Sequence, residues 1–96
     1  MNTTLINRWN GGKARLWNYS VSHKMLTLRV EQEGRYGNLH IYCGDLSFVC
    51  GPSEWRDACF EIEVVSSDLV ILRDKHVDFQ AHAGIMEVAE NCKPIY

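Results

Sequence analysis

A histidine-rich segment carries side chains that could bind a metal ion. Residues 76–82 read His-Val-Asp-Phe-Gln-Ala-His, so on an extended strand His76, Asp78 and His82 share one face. Neighbours on such a face lie roughly 6.6 Å apart along the backbone, and imidazole and carboxylate groups are both zinc ligands. The pattern identifies these three residues as candidate zinc ligands. We favour the simpler interpretation of a solvated strand face, because a structural zinc ion needs four ligands and only sequence neighbours are in view.

A second polar pair, His40 and Tyr42, falls on the outer face of another predicted strand. Together with a carboxylate such as Asp45, these groups could transfer protons in acid–base catalysis. The nearby sequence supplies neither a recognisable nucleophile nor an oxyanion site. An exposed strand face with one aromatic side chain is therefore the preferred interpretation.

The sequence motifs of several common enzyme classes do not occur in the chain. Residues 11–14, Gly-Gly-Lys-Ala, lack phosphate-loop spacing and the Ser or Thr that follows the lysine. Ser53 lies in Gly-Pro-Ser-Glu-Trp, which is not a nucleophile elbow. Neither a dinucleotide fingerprint nor a His-Glu-x-x-His zinc motif is present. We therefore expect a protein without catalytic activity.

Tryptophan and tyrosine residues exceed what one small core needs, with three Trp and four Tyr among 96 residues. Surplus Trp and Tyr commonly anchor interfaces or stack on ligands. The candidates for such contacts are Trp9, Trp55, Tyr42 and Tyr36. We expect Trp9 and Trp55 to be partly exposed, because polar or charged residues flank them. The alternative is that Trp17 and Trp55 seal the two ends of the fold.

The charge pattern and the N-terminal segment exclude several classes of partner. Ten Lys and Arg against twelve Asp and Glu give a net charge of -2, and the basic residues are scattered, which argues against nucleic acid. Residues 1–13 lack the apolar run of a secretory signal, and no stretch reaches membrane-spanning length. We expect a cytoplasmic protein with no membrane partner, in which residues 1–12 form a loosely ordered arm.

The four cysteines are Cys43, Cys50, Cys59 and Cys92, and no two of them form a Cys-x-x-Cys pair. In a reducing cytoplasm an even number of cysteines does not indicate disulfides. Cysteine is among the most buried residue types as a free thiol. We expect packed thiols, with metal, redox or disulfide roles as the alternatives.

Apolar and polar residues alternate with a period of two along most of the chain, which is typical of strands with one buried face. The strand candidates cover residues 17–21, 26–31, 39–43, 46–50, 60–64, 69–72 and 77–81. Turn-forming residues separate them, including a candidate tight hairpin at Gly44-Asp45. Strands at such short intervals favour antiparallel pairing.

These patterns predict a mainly β fold in a single domain, residues 1–96, built as an antiparallel sandwich or open barrel of about six to eight short strands. Residues 26–51 and 60–84 each resemble a three-stranded meander, and we expect the two meanders to pack face to face. Pro52 and Ser53 predict one short helical turn near residues 53–57. Residues 85–92 fit either a final strand or a short helix, ended by Pro94.

The function that these observations favour is a small non-catalytic binding or protein-interaction module, with a protein partner or a second copy of the chain. Open sheet edges make strand-mediated dimerisation the natural form of self-association. One alternative is a metal-binding protein that uses the histidine-bearing strand face. Another is a small-molecule-binding β-domain with its pocket between the sheets.

Overall fold

The alternating apolar residues place most of the chain in extended strands. The computed structural model describes residues 3–91, which form one short helix and seven strands. These elements are α1 (Thr3–Asn7), β1 (Lys13–Ser20), β2 (Met25–Glu31), β3 (Asn38–Cys50), β4 (Glu54–Trp55), β5 (Glu61–Ser66), β6 (Leu69–Asp74) and β7 (Phe79–Asn91). The predicted mainly β architecture with antiparallel pairing is confirmed.

All seven strands of the described residues belong to one sheet, in the order β4-β1-β2-β3-β7-β6-β5. The predicted meander of residues 26–51 is wrong, because its second and third strands are the single strand β3. The structure instead has the meanders β1–β2–β3 and β5–β6–β7, which join edge to edge through pairing of β3 with β7. These two strands have 13 residues each and pair from Asn38 opposite Asn91 to Cys50 opposite Gln80. The expected face-to-face packing of separate meanders is wrong, because backbone hydrogen bonds between the two longest strands make the sheet continuous.

The Gly44-Asp45 segment bends β3 and does not reverse it. Asp45 has a positive φ of 52°, and the Leu46 amide donates to the Lys24 carbonyl at 2.9 Å. A Cβ atom at Gly44 would lie 2.7 Å from the Cγ2 atom of Ile85 on the paired strand. The predicted hairpin is wrong at this position, because the glycine allows β7 to approach closely while pairing continues past the bend.

The sheet curls so that edge strand β4 meets β6 and β7 around a core on the inner face. Trp55 of edge strand β4 stacks 4.8 Å from the ring of Phe79, and its Nε1 donates to Oδ2 of Asp74 on β6 at 2.8 Å. The arrangement resembles an open barrel more than two stacked sheets. The helical turn predicted near residues 53–57 is wrong, since Glu54–Trp55 pairs with β1 while the indole enters the core.

The N-terminal segment packs against the sheet. Ile6 and Trp9 are 3% and 2% exposed, so residues 3–12 contribute to the core and do not form the loose arm that we expected. Within the described residues, α1 is too short to cross a membrane and no other helix is long and apolar enough to do so. At the other end, β7 extends to Asn91, which confirms the strand alternative up to that residue; Cys92 and Pro94 lie outside the described residues.

Candidate functional site

The three candidate zinc ligands do not converge. His76 and Asp78 lie in the turn between β6 and β7, because β7 begins only at Phe79. His82 lies on β7, where its Nε2 is hydrogen-bonded to Gln80 Oε1 at 3.0 Å. No group of three or more potential ligands that could hold a metal ion occurs among the described residues. The prediction required all three residues to lie on one extended strand, and only His82 does.

Trp9 and Trp55 are structural residues, contrary to the expectation of partial exposure. Trp9 Nε1 donates to Oε2 of Glu90 at 3.1 Å, and the guanidinium of Arg35 lies 4.3 Å from the centre of its ring. Trp55 is 6% exposed and packs among core aromatics. Both indoles hold chain segments against the sheet, so neither is available for stacking on a ligand.

Trp17 is the exposed tryptophan, with 46% of its surface accessible. Period-two alternation along β1 places its ring on the sheet face opposite the core, and a β-bulge follows between Leu16 and Asn18 in the pairing with β2. Tyr42 of β3 lies on the same face and is 36% exposed, whereas Tyr36 is 71% exposed in the loop before β3. The sequence-based alternative that Trp17 seals the core is wrong.

Three basic side chains form a row beside Trp17. Arg15 of β1 pairs with Arg29 of β2, and Arg29 pairs with His40 of β3, so the three side chains lie next to one another on neighbouring strands. We call Arg15, Arg29 and His40 the basic row, and the sheet surface that carries the row with Trp17 and Tyr42 the outer face. The Arg29 guanidinium lies 4.1 Å from the centre of the Trp17 ring, a cation–π contact.

The basic row is partly desolvated but poorly paired. The Nε atoms of Arg15 and Arg29 and the Nε2 atom of His40 are buried and have no hydrogen-bond partner. Glu31 Oε1 lies 3.6 Å from Arg15 and 3.8 Å from Arg29, and Glu54 Oε1 lies 3.6 Å from Arg15. These distances allow electrostatic attraction but exceed hydrogen-bond length. The row therefore retains unused donors although only 9% of the Arg29 side chain is exposed.

His40 is held in its neutral form. Burial lowers its pKa from the ordinary value of 6.5, and the positive charge of Arg29 lowers it further. Its Nδ1 atom is hydrogen-bonded to the Tyr42 hydroxyl at 3.1 Å, and the two rings meet edge to face. The predicted His40 and Tyr42 pair therefore exists, while Asp45 lies at the bend of β3, beside Gly84. The pair supplies a positioned imidazole and phenol without a neighbouring carboxylate from Asp45.

A surface cleft of about 480 Å³ adjoins the basic row. Arg15 and Glu31 form part of its wall, with Lys13, Arg56 and Asp57 further along. The cleft lies beside the start of β1 and the end of β2, on the surface of the sheet. The small-molecule alternative placed a pocket between two sheets, whereas this cleft lies on the sheet surface and has a charged lining.

The described cysteines differ in environment. Cys43 is buried in the core, and burial raises the pKa of its thiol to about 12, which keeps it protonated and unreactive at neutral pH. Cys59 is partly buried, and Cys50 is exposed, so the expectation of packed thiols is wrong for Cys50. All three are free. Cys92 lies outside the described residues.

Comparison of the chain with protein-family models, with curated proteins and with solved structures found no match. The outer face is therefore the feature of the molecule that points to a function. Of the residues that form it, the sequence identified His40 and Tyr42 but not Trp17, Arg15 or Arg29. The alternation of polar and apolar residues in β2 predicted that Arg29 lies on the outer side of the sheet. The sequence did not show which side chains of β1 and β3 would lie beside it.

Proposed function

We propose that this protein is a non-catalytic protein-interaction module that contacts its partner through the outer face. The observation that carries the proposal is the exposed Trp17 ring stacked on the buried Arg29 guanidinium. Tryptophan, tyrosine and arginine are the residues that most often dominate interface energetics. The outer face combines all three types within one patch, with Tyr42 at its side.

The rigidity of the outer face supports a binding role. Its side chains are carried by paired strands of the central part of the sheet, so little chain ordering is needed when a partner binds. The Arg29 guanidinium is already held by the Trp17 ring. A preformed patch of this kind loses less conformational entropy on binding than a patch on loops.

The chemistry of the outer face favours binding over catalysis. The basic row offers positive charge and hydrogen-bond donors, and His40 is paired with a phenol instead of a nucleophile. The proposed compartment is the cytoplasm, which the exposed free thiol of Cys50 supports, since free surface thiols are typical of reducing compartments.

Site-specific photo-crosslinking tests the proposal. A photoreactive residue replaces Trp17 in one variant and Tyr19 in a matched control, since Tyr19 is also an exposed aromatic of β1 but pairs with core residue Leu26. The partner identified from the source cells is then purified, and its affinity is measured for the native chain and for Trp17→Ala. We expect crosslinks at position 17 only and a loss of affinity of about tenfold or more. Equal crosslinking at both positions, or unchanged affinity of Trp17→Ala, would refute the proposal.

A second candidate is self-association through the edge strand β5. Val64 and Val65 are 64% and 50% exposed there, and Glu63, whose charge would discourage edge pairing, is neutralised by Arg73 at 2.9 Å. Analytical ultracentrifugation of the native chain and of Val64→Lys tests this candidate. A dimer that dissociates in the variant supports it, and a native monomer at high micromolar concentration removes it.

A further inference from the structure

The buried polar side-chain atoms that lack a hydrogen-bond partner are concentrated on one part of the sheet. Among the described residues they belong to Arg15, Arg29, Asn38 and His40. Strand alternation places Asn38 and His40 on the same side of β3, opposite the core residue Leu39. Native proteins pair nearly all buried polar groups, so an unpaired cluster calls for an explanation.

The other buried charged side chain among the described residues, Asp74, is well paired, which makes the cluster distinctive. Asp74 is fully buried and accepts hydrogen bonds from the Trp55 indole and from the backbone amides of Cys59 and His76, at 2.8 to 3.0 Å. The fold therefore provides hydrogen-bond partners for a buried charge that has a structural role. The unused donors of the basic row point instead to an acceptor that a ligand brings.

The geometry of the basic row fits a planar acceptor with two oxygens. Arg15 and Arg29 lie directly opposite each other on neighbouring strands, which are about 4.8 Å apart. Two adjacent guanidinium groups can each direct N–H donors at one carboxylate, the group that arginine binds with the best geometry. Two like charges opposite each other are unfavourable without such a counter-ion.

The local charge favours an anion. Lys13, Arg15, Arg29 and Arg56 lie near the carboxylates of Glu31 and Glu54, so the basic side chains outnumber the acidic ones. The charge alone does not distinguish a carboxylate from a phosphate. The planar, paired arrangement of the two guanidinium groups favours the carboxylate.

We propose that Arg15 and Arg29 bind a carboxylate group of the protein partner, with Trp17 as the aromatic wall of the site. This inference rests on the proposed function, because the partner is what brings the carboxylate. Glu31 acts as an intramolecular competitor in the free protein, since one of its oxygens lies between the two guanidinium groups at 3.6 and 3.8 Å. The bound carboxylate displaces Glu31 and accepts the hydrogen bonds that Glu31 does not make.

Nuclear magnetic resonance of the arginine Nε–H groups tests the site directly. The full chain is titrated with N-acetylglutamate amide, which presents only a side-chain carboxylate, and with N-acetylglycine, which presents only a terminal carboxylate. N-acetylglutamine amide is the neutral control and inorganic phosphate is the competing anion. We expect saturable shifts of the Arg15 and Arg29 signals with one or both carboxylates, and the tighter of the two assigns the source of the group.

Three variants sharpen the test. Glu31→Gln removes the competitor and should tighten carboxylate binding about fivefold or more, whereas a purely structural role for Glu31 would leave the affinity unchanged. Arg15→Gln should abolish saturable binding of the carboxylate. Because the Arg15 side chain is 34% exposed, this variant should fold even where an Arg29 variant does not. Arg73→Gln is the matched control, because Arg73 already donates to Glu63 at 2.9 Å.

The outcomes separate this inference from the proposed function. Absence of saturable Arg15 and Arg29 shifts with both carboxylates overturns the carboxylate site, and so does tighter binding of phosphate. In either case crosslinking from position 17 still reports on the interaction module. Failure of the crosslinking experiment alongside saturable carboxylate shifts would instead refute the module and retain an anion site.

Discussion

The guanidinium of Arg29 lies 4.1 Å above the ring of Trp17, and this contact joins a nearly buried cation to the most exposed tryptophan of the chain. The ring covers the guanidinium, and Glu31 approaches it only to 3.8 Å. The cation is therefore held in a fixed position with donors left over.

Removal of the Trp17 ring should destabilise the fold modestly and expose Arg29. A cation–π contact with a partly desolvated cation contributes about 1–2 kcal/mol, so we expect Trp17→Ala to lower the free energy of unfolding by about that amount. Urea denaturation measures the change. Tyr19→Ala serves as the control, since Tyr19 is 51% exposed and the cation–π contacts within residues 3–91 involve Trp17 and Trp9. An equal loss in both variants would contradict a specific role for the stacking.

Replacement of Asp74 should be among the most damaging changes in the chain. Its carboxylate accepts one indole and two backbone donors in a fully buried position, and Asn would turn an amide N–H₂ toward at least one of these donors. Hydrogen bonds to charged groups contribute about 1.5–3 kcal/mol each, so we expect Asp74→Asn to cost about 3 kcal/mol or more. Asp68→Asn, at an exposed turn residue, should change thermal and urea stability little. Comparable stability of the two variants would argue against Asp74 as the link between β4 and β6.

His40 should make the protein less stable as the pH falls. Burial and then Arg29 lower its pKa in the folded state below the ordinary value of 6.5, so the unfolded chain binds the proton first. The stability present above pH 6.5 is lost progressively as the pH falls from that value through the folded-state pKa. His40→Gln removes this contribution, so the stability difference between the native chain and the variant should shrink or reverse on acidification. Denaturation curves from pH 8 to pH 5 measure it, and parallel pH profiles would contradict the assignment.

A side chain at Gly44 should disturb the bend of β3, and a second change should relieve it. Gly44→Ala would place a Cβ atom 2.7 Å from Cγ2 of Ile85. Overpacking of this kind costs about 1–3 kcal/mol. Ile85 is 57% exposed, so Ile85→Ala removes the clash at little cost of its own. We expect the double variant to be more stable than Gly44→Ala alone; strict additivity in a thermal or urea denaturation cycle would show that the close contact is not the cause.

Much of the fold followed from local patterns. The alternation in residues 26–31 and the apolar run of residues 69–72 predicted strands that the structure contains. Alternation indicates a strand because a period of two is a property of the extended backbone itself. Residues 53–57 and Gly44-Asp45 were misassigned. Proline, serine and glycine favour turns locally, but here the backbone pairs with another strand of the sheet. In both places pairing with a distant strand overrode the local preference.

The candidate site was harder to predict than the fold. His40 and Tyr42 share a strand face, so their proximity was visible in the sequence, whereas Arg15 and Arg29 became neighbours through the register of β1 and β2. Trp17 lies on the same face two residues after Arg15 on β1, but its contact with Arg29 depends on how β1 pairs with β2. Conversely, Trp9 and Trp55 looked exposed from their polar neighbours, yet distant partners, Glu90 and Asp74, bind their indoles.

The sequence by itself determined that this is a small mainly β protein with scattered charge, because composition and alternation act through the chain's own backbone geometry. Only the tertiary structure decided that the two meanders share one curled sheet and that Asp74 links β4 to β6. It also decided that three basic side chains lie in a row on the outer face, with Arg29 against the Trp17 ring. The physical reason is that strand order and register arise from contacts between residues far apart in the chain. A shift of one residue in register would move Arg29 from the outer face to the core face.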